Sequence, residues 1–184
     1  MDPLGVIHGR FQGLHLGHME YLLAGAARCR HLLVGVTNYD PALAPADLAD
    51  AHRALADNPF TFYDRMVMLR DSLTEAGLER SRFDIIPFPV EYPDHILNFA
   101  PPEAVYYMTI YDQWGEHKYK LLQELGLRVE IMWVRTDSQR LTSGTEVRRL
   151  IASGAPWAHL VPPAVYRYVT DRGLDRRLRE ALAE

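Results

Sequence analysis

The chain of 184 residues predicts an α/β fold, a Rossmann-like, doubly wound parallel sheet with a small helical C-terminal appendage. Three observations carry this prediction. Short apolar runs alternate with helical patterns along most of the chain, the order that builds parallel strands joined by crossover helices. "HLLVGVT" (31–37) is a nearly unbroken apolar run, as expected of a strand buried on both faces. After "RVEIMWV" (128–134) the strand signal stops and only helical segments follow.

The elements are expected in this order. A first strand runs from about Leu4 to His8 and leads into a glycine-containing loop. A helix then runs from about Gly17 to Arg28, with Met19, Leu22, Leu23 and Ala26 on one face. The second strand, 31–37, is followed by "NYDPALAPADLADAHRALADNP", long enough to be a functional loop rather than a connector. "TFYDRMVMLRDSLTEAG" (61–77) reads as an amphipathic helix closed by Gly77. "FDIIPFPVEY" (83–92) is a strand whose prolines suit a sheet edge. Strands at 104–110 and 128–134 flank the helix "GEHKYKLLQELG", and helices over Gly144–Ser153, Pro163–Asp171 and Leu174–Ala183 finish the chain. No composition break marks a boundary. One domain is expected, with a core over 1–142 and C-terminal helices over 143–184 that complete the site.

Composition narrows the function. The net charge of −4 argues against a polyanion-binding surface, so phosphate recognition should be confined to one pocket and nucleic acid is not expected as a partner. The single cysteine, Cys29, cannot form an internal disulfide; with no signal-peptide pattern and no apolar run of about 20 residues, the expectation is a cytoplasmic protein without a membrane partner.

The chemistry concentrates in "IHGRFQGLHLGH" (7–18), which puts an Arg, a Gln and three His where the first strand ends. In open parallel sheets ligands bind beyond the carboxyl ends of the strands, near helix N-termini. Backbone N–H groups and the helix dipole favour an anion there. His15 and His18 add two imidazole donors, and Gly17 keeps the backbone bare for a close phosphate. A metal is the competing reading of paired histidines, but no Cys or third His follows at ligand spacing. A second candidate is "SGTEVRRLI" (143–151). Ser143 and Glu146 form a capping-box pattern, Gly144 and Thr145 open the same helix end, and Arg148 one turn later would face the same anion.

Together, "GRFQGLHLGH", "DNPFTFYDRMVML" (57–69) and "SGTEVRRLIASGAPWAHLVPPAV" (143–165) resemble the HxGH nucleotidyltransferase superfamily. The closest resemblance is to the archaeal-type nicotinamide-nucleotide adenylyltransferases. The resemblance implies attack of an acceptor phosphate on the α-phosphorus of a nucleoside triphosphate, with release of pyrophosphate. It implies catalytic roles for Arg10, His15, His18 and Arg148, and nucleotide-binding roles for Gly9, Phe11, Gln12, Gly17, Ser143, Gly144 and Thr145. It also implies Mg²⁺ held mainly by the triphosphate rather than by a protein cage, and assembly as a homo-oligomer.

Two segments depart from that family. "MTIYDQWGEHKYK" (108–120) stands where the adenylyltransferases carry an SGNP-like turn, and the loop after the second strand is longer. Both lie where the acceptor should sit. They resemble related domains that load CMP onto phosphonates or other small phosphorylated compounds. Asn38, His52, Arg53, Tyr111, Asp112, Trp114 and Lys118 are the acceptor-contact candidates. For Trp114 the plainer reading is packing and for Lys118 a solvated helix face, while Asp112 reads equally as a turn residue. The main expectation is therefore an enzyme that moves an NMP group from a nucleoside triphosphate, ATP or CTP, to a small phosphorylated acceptor with release of pyrophosphate; the nearest resemblance points to ATP with nicotinamide mononucleotide in NAD biosynthesis. The alternatives are a cytidylyltransferase acting on a phosphonate and a nucleotide-binding regulator without turnover. A class I aminoacyl-tRNA synthetase fragment is set aside for want of a lysine-rich second signature.

Overall fold

The computed structural model describes residues 1–40 and 58–181. His52, Arg53 and most of the loop expected after the second strand lie outside the described residues. Among the described residues five strands form one sheet: β1 (Asp2–Gly9), β2 (Cys29–Val36), β3 (Phe83–Pro87), β4 (Val105–Ile110) and β5 (Arg128–Val134). The helices are α1 (Leu16–Ala26), α2 (Phe62–Glu75), α3 (Gln113–Glu124), α4 (Gly144–Ser153), α5 (Pro163–Asp171) and α6 (Leu174–Ala181).

The sheet runs β3-β2-β1-β4-β5 and every pairing is parallel. The doubly wound order follows: the chain builds outward from β1 to β3, then returns to place β4 on the other side of β1. β3 takes the edge the prolines predicted, and it is shorter than the expected 83–92. Pro87 and Pro89 cannot donate to a ladder, so the chain leaves the sheet after Pro87 and turns through a short 3₁₀ segment at Pro93–Asn98.

The chain divides into two compact units. The first takes residues 1–10, 20–39 and 79–140 and holds the sheet with α3. Its core is Val6, Leu33, Phe88, Ile96, Tyr106, Met108 and Leu122 with their neighbours. Two glycines make this packing possible. A Cβ on Gly25 of α1 would fall 2.2 Å from Ile7, and one on Gly35 of β2 would fall 2.8 Å from the Phe88 ring.

The second unit takes 11–19, 40–78 and 141–184, so the loop after β1 and α2 group with the C-terminal helices rather than with the sheet. α2 packs on α5, and α6 on both α4 and α5. α2 begins with a full capping box: the Thr61 hydroxyl accepts from the Asp64 N–H, and the Asp64 carboxylate accepts from the Thr61 N–H. Its end is closed by Gly77 at φ +87°, with the Leu78 N–H donating to the Leu73 carbonyl at 3.0 Å. Among the described residues no helix is long and apolar enough to cross a membrane.

Candidate active site

The second unit brings the two signature segments together. Arg148, on α4 and only 5% exposed, donates through Nη1 to the Gln12 carbonyl at 2.8 Å and through Nη2 to the Thr145 hydroxyl at 3.3 Å. Residues 136 positions apart are thus held in one buried contact. Gly144 makes the approach possible, because a Cβ there would sit 2.6 Å from the Gln12 carbonyl oxygen. Gly13, absent from the expected site, takes φ +86° to turn the loop, and its missing Cβ would meet the Gly144 carbonyl at 3.3 Å.

His15 stands at the N-cap of α1. Its carbonyl accepts the Met19 N–H at 3.1 Å, and its Nδ1 accepts the His18 N–H at 3.3 Å. A ring that accepts at Nδ1 carries its proton at Nε2 when neutral. The His18 ring stacks on His15 with centroids 3.7 Å apart, and the buried Phe11 ring meets His18 edge-on at 5.1 Å. Phe11 holds φ +51°, a conformation an aromatic residue adopts only under tertiary constraint. Gly17 has a reason beyond a bare backbone: a Cβ would lie 3.2 Å from Cε1 and Nδ1 of His15. The spacing His-x-Gly-His therefore lets the first ring fold back over the glycine and cap the helix that carries the second.

Several expected roles change. Gln12 does not present its amide to a ligand; Nε2 donates to the Phe60 carbonyl at 2.9 Å and Oε1 accepts the Phe60 N–H at 3.0 Å. That bridge ties the loop to the segment 57–69. The same segment is held by Arg177, whose Nη2 donates to the Pro59 carbonyl, and by Tyr168, whose hydroxyl donates to Asp64. Only half of the capping box expected at 143–146 forms. Ser143 caps α4 through the Glu146 N–H, whereas the Glu146 carboxylate pairs with both arms of Arg149 at 2.8 Å. His8, the third histidine of the opening motif, is a core residue. It stacks on Phe88 at 4.5 Å, and burial together with the nearby Lys118 charge pushes its pKa down to about 3. Gly9 is the last residue of β1, and its carbonyl accepts the Thr37 N–H.

The first unit carries Arg10 and the acceptor candidates that lie among the described residues. Asn38 follows β2 at φ +46°, a value asparagine tolerates. Asp112 is the N-cap of α3 and accepts the Gly115 N–H at 2.8 Å. Tyr111 lies under the guanidinium of Arg140, 4.1 Å from Cζ; that arginine also approaches Asp112 and was not expected at the site. Trp114 is 53% exposed rather than packed, and it stacks on His117 at 5.2 Å. Lys118 is not a solvated face charge. It is half-buried, and desolvation together with the Arg10 charge lowers its pKa against the pull of Asp112 and Glu91.

Among the described residues no group of three or more His, Cys, Asp or Glu is arranged to hold a metal ion. The donors of the second unit include imidazoles, a guanidinium and hydroxyls, groups that can donate to phosphate oxygens.

The sheet order of the first unit and, in the second, a histidine loop locked to a helix N-terminus by a buried arginine accord with a nucleotidyltransferase, the class that comparison with known proteins shows. The chain belongs to the cytidylyltransferase-like family, whose model matches residues 6–150. It is 53% identical over 176 residues to a phosphonoformate cytidylyltransferase of Streptomyces viridochromogenes, covering 95% of each chain. It is 31% identical over 183 residues to a nicotinamide-nucleotide adenylyltransferase of Saccharolobus solfataricus, covering 96% of this chain and 95% of that one. Among solved structures, a bifunctional NMN adenylyltransferase/ADP ribose pyrophosphatase from Francisella tularensis superposes with a TM-score of 0.71 at 16% identity. The match covers 98% of this chain and 53% of that one, and at this identity it speaks for the fold alone.

Proposed function

We propose that this nucleotidyltransferase moves CMP from CTP to a small phosphonate, with release of pyrophosphate. The observation that carries the reading is the 53% identity to a phosphonoformate cytidylyltransferase across nearly the full length of both chains. It outweighs the expectation of ATP and nicotinamide mononucleotide, whose relative stands at 31%. The departure of residues 108–120 from the adenylyltransferase pattern points the same way.

In this reading an oxygen of the acceptor phosphonate attacks the α-phosphorus of CTP. A new P–O bond forms, the bond to the β-phosphate bridging oxygen breaks, and pyrophosphate leaves with the electron pair. Charge accumulates on phosphoryl oxygens, so prepositioned donors supply most of the acceleration. His15, through Nε2–H, and His18 donate to the triphosphate. Ser143, Thr145 and the N–H groups that open α4 hold its outer phosphates, and Arg148 fixes the two segments relative to each other. Mg²⁺, where bound, would be held mainly by the triphosphate rather than by side chains of this chain, and would neutralise part of the triphosphate charge. Cytoplasmic location and assembly of several copies remain part of the proposal.

The test is a matrix of ATP, CTP, GTP and UTP against phosphonoformate, methylphosphonate and nicotinamide mononucleotide, read by pyrophosphate release. CTP with phosphonoformate should give the highest kcat/KM. Preference for ATP with nicotinamide mononucleotide would overturn the proposed base and acceptor.

A further inference from the structure

The strand order reverses between β1 and β4, which pair in parallel with Gly5 beside Val105 and Val6 beside Tyr106. Crevices at such reversals, beyond the carboxyl ends of the strands, are where open parallel sheets hold small ligands. Arg10 is the first residue after β1, and Tyr111 to Lys118 are the first residues after β4. Both cations therefore follow neighbouring parallel strands at the same end of the sheet of the first unit.

Lys118 is the unusual member. It sits half-buried on α3, close enough to Arg10 and to His8 for its charge to act on both. Asp112 and Glu91 attract it from a distance, yet among the described residues its ammonium makes no ion pair and no hydrogen bond. Its ring contact is Trp114, with Nζ 6.0 Å from the centroid, and Trp114 with His117 forms an exposed stacked wall beside it. A half-buried ammonium set near a second cation, with no carboxylate in contact, costs free energy that a bound anion recovers.

We propose that Lys118, with Arg10, is the specificity determinant for the acceptor: the pair selects a small compound that carries a second acid group, such as a carboxylate, beside the attacking phosphonate. The inference rests on the reading of the chain as a transferase acting on small phosphonates. It deepens that reading by assigning the discrimination to two side chains that follow β1 and β4. An acceptor lacking the second acid would leave Lys118 desolvated and unmatched, and sites with buried polar groups reject such analogues strongly.

The test measures kcat and KM at saturating CTP for phosphonoformate and for methylphosphonate, which lacks the carboxylate, in the wild type and in Lys118→Met and Lys118→Arg. The wild type should prefer phosphonoformate by at least about tenfold in kcat/KM. Lys118→Met should raise KM for phosphonoformate by roughly 10- to 100-fold and bring the preference toward one, and Lys118→Arg should restore much of it. In the wild type, KM for phosphonoformate should climb as pH rises through the lowered pKa of Lys118, and Lys118→Met should lack that limb. An unchanged preference in Lys118→Met overturns the proposal. If no acceptor is turned over, calorimetric titration of phosphonoformate into wild type and Lys118→Met separates the two claims. Binding lost only in the variant upholds the subsite while the transfer reading falls; equal binding, or none in the wild type, overturns the subsite.

Discussion

The Nη1 group of Arg148 donates to the backbone carbonyl of Gln12 at 2.8 Å, and this buried contact locks the loop after the first strand to the N-terminal turn of α4. The arginine of the second signature thus acts first as a brace. Arg148→Lys keeps a positive charge but cannot span both the Gln12 carbonyl and the Thr145 hydroxyl as the fork does. The variant should lose about 1.5–3 kcal/mol of stability, the range for hydrogen bonds to a charged group. It should also bind nucleoside triphosphate more weakly. Chemical denaturation and CTP titration check both; an unchanged midpoint with weakened CTP binding would mean that the brace is not structural.

Gly144→Ala tests the same junction without touching charge. Its new methyl group would stand 2.6 Å from the Gln12 carbonyl oxygen, a backbone atom that cannot swing aside. Overpacking of this kind costs about 1–3 kcal/mol, and displacement of the loop should lower kcat/KM more than tenfold. Wild-type turnover in this variant would contradict the close approach.

Gln12→Ala removes both amide bonds to Phe60 and leaves a buried N–H and carbonyl without partners. The expected loss is about 2–3 kcal/mol of stability. Amide exchange at Phe60 should accelerate in proportion; protection equal to that of the wild type would show that the bridge is dispensable.

His8 predicts a pH effect of definite sign. Unfolded, the imidazole titrates near 6.5; folded, burial first and the Lys118 charge second hold it down to about 3. Because the folded value is depressed, the unfolded chain binds the proton first as pH falls. Stability is full above about pH 6.5 and declines progressively toward pH 3. His8→Phe keeps a ring against Phe88 and removes the titration. The stability difference between variant and wild type should shift by roughly 3 kcal/mol in favour of the variant between pH 7.5 and pH 4. Denaturation curves that keep a constant separation would refute the buried neutral imidazole.

The fold was legible because hydrophobic period survives in a single sequence. A nearly unbroken apolar run gives β2, and prolines give the edge position of β3. The end of α2 was marked by Gly77. The uses of individual polar side chains were not legible, since each depends on a partner far away in the chain. The sequence distinguishes neither His8 from His15 nor the backbone-bonded Gln12 from a ligand-facing one; only the Phe88 ring and the Phe60 peptide do so. Glu146 satisfies the capping-box pattern, but Arg149 at three residues' distance offers a charge that the backbone N–H cannot match. Lys118 reads as a surface charge on the period of α3, and its desolvation follows from the end of β1 lying beside the end of β4.

In the proposed reaction the stacked imidazoles of His15 and His18 donate to a triphosphate as pyrophosphate departs. The most direct measurement is the pyrophosphate-release rate of His18→Ala with saturating CTP and phosphonoformate, alongside circular dichroism. A folded variant whose kcat falls about 100- to 1000-fold is the predicted result, the loss typical of one prepositioned donor. A folded variant that turns over within a few fold of the wild type would contradict it.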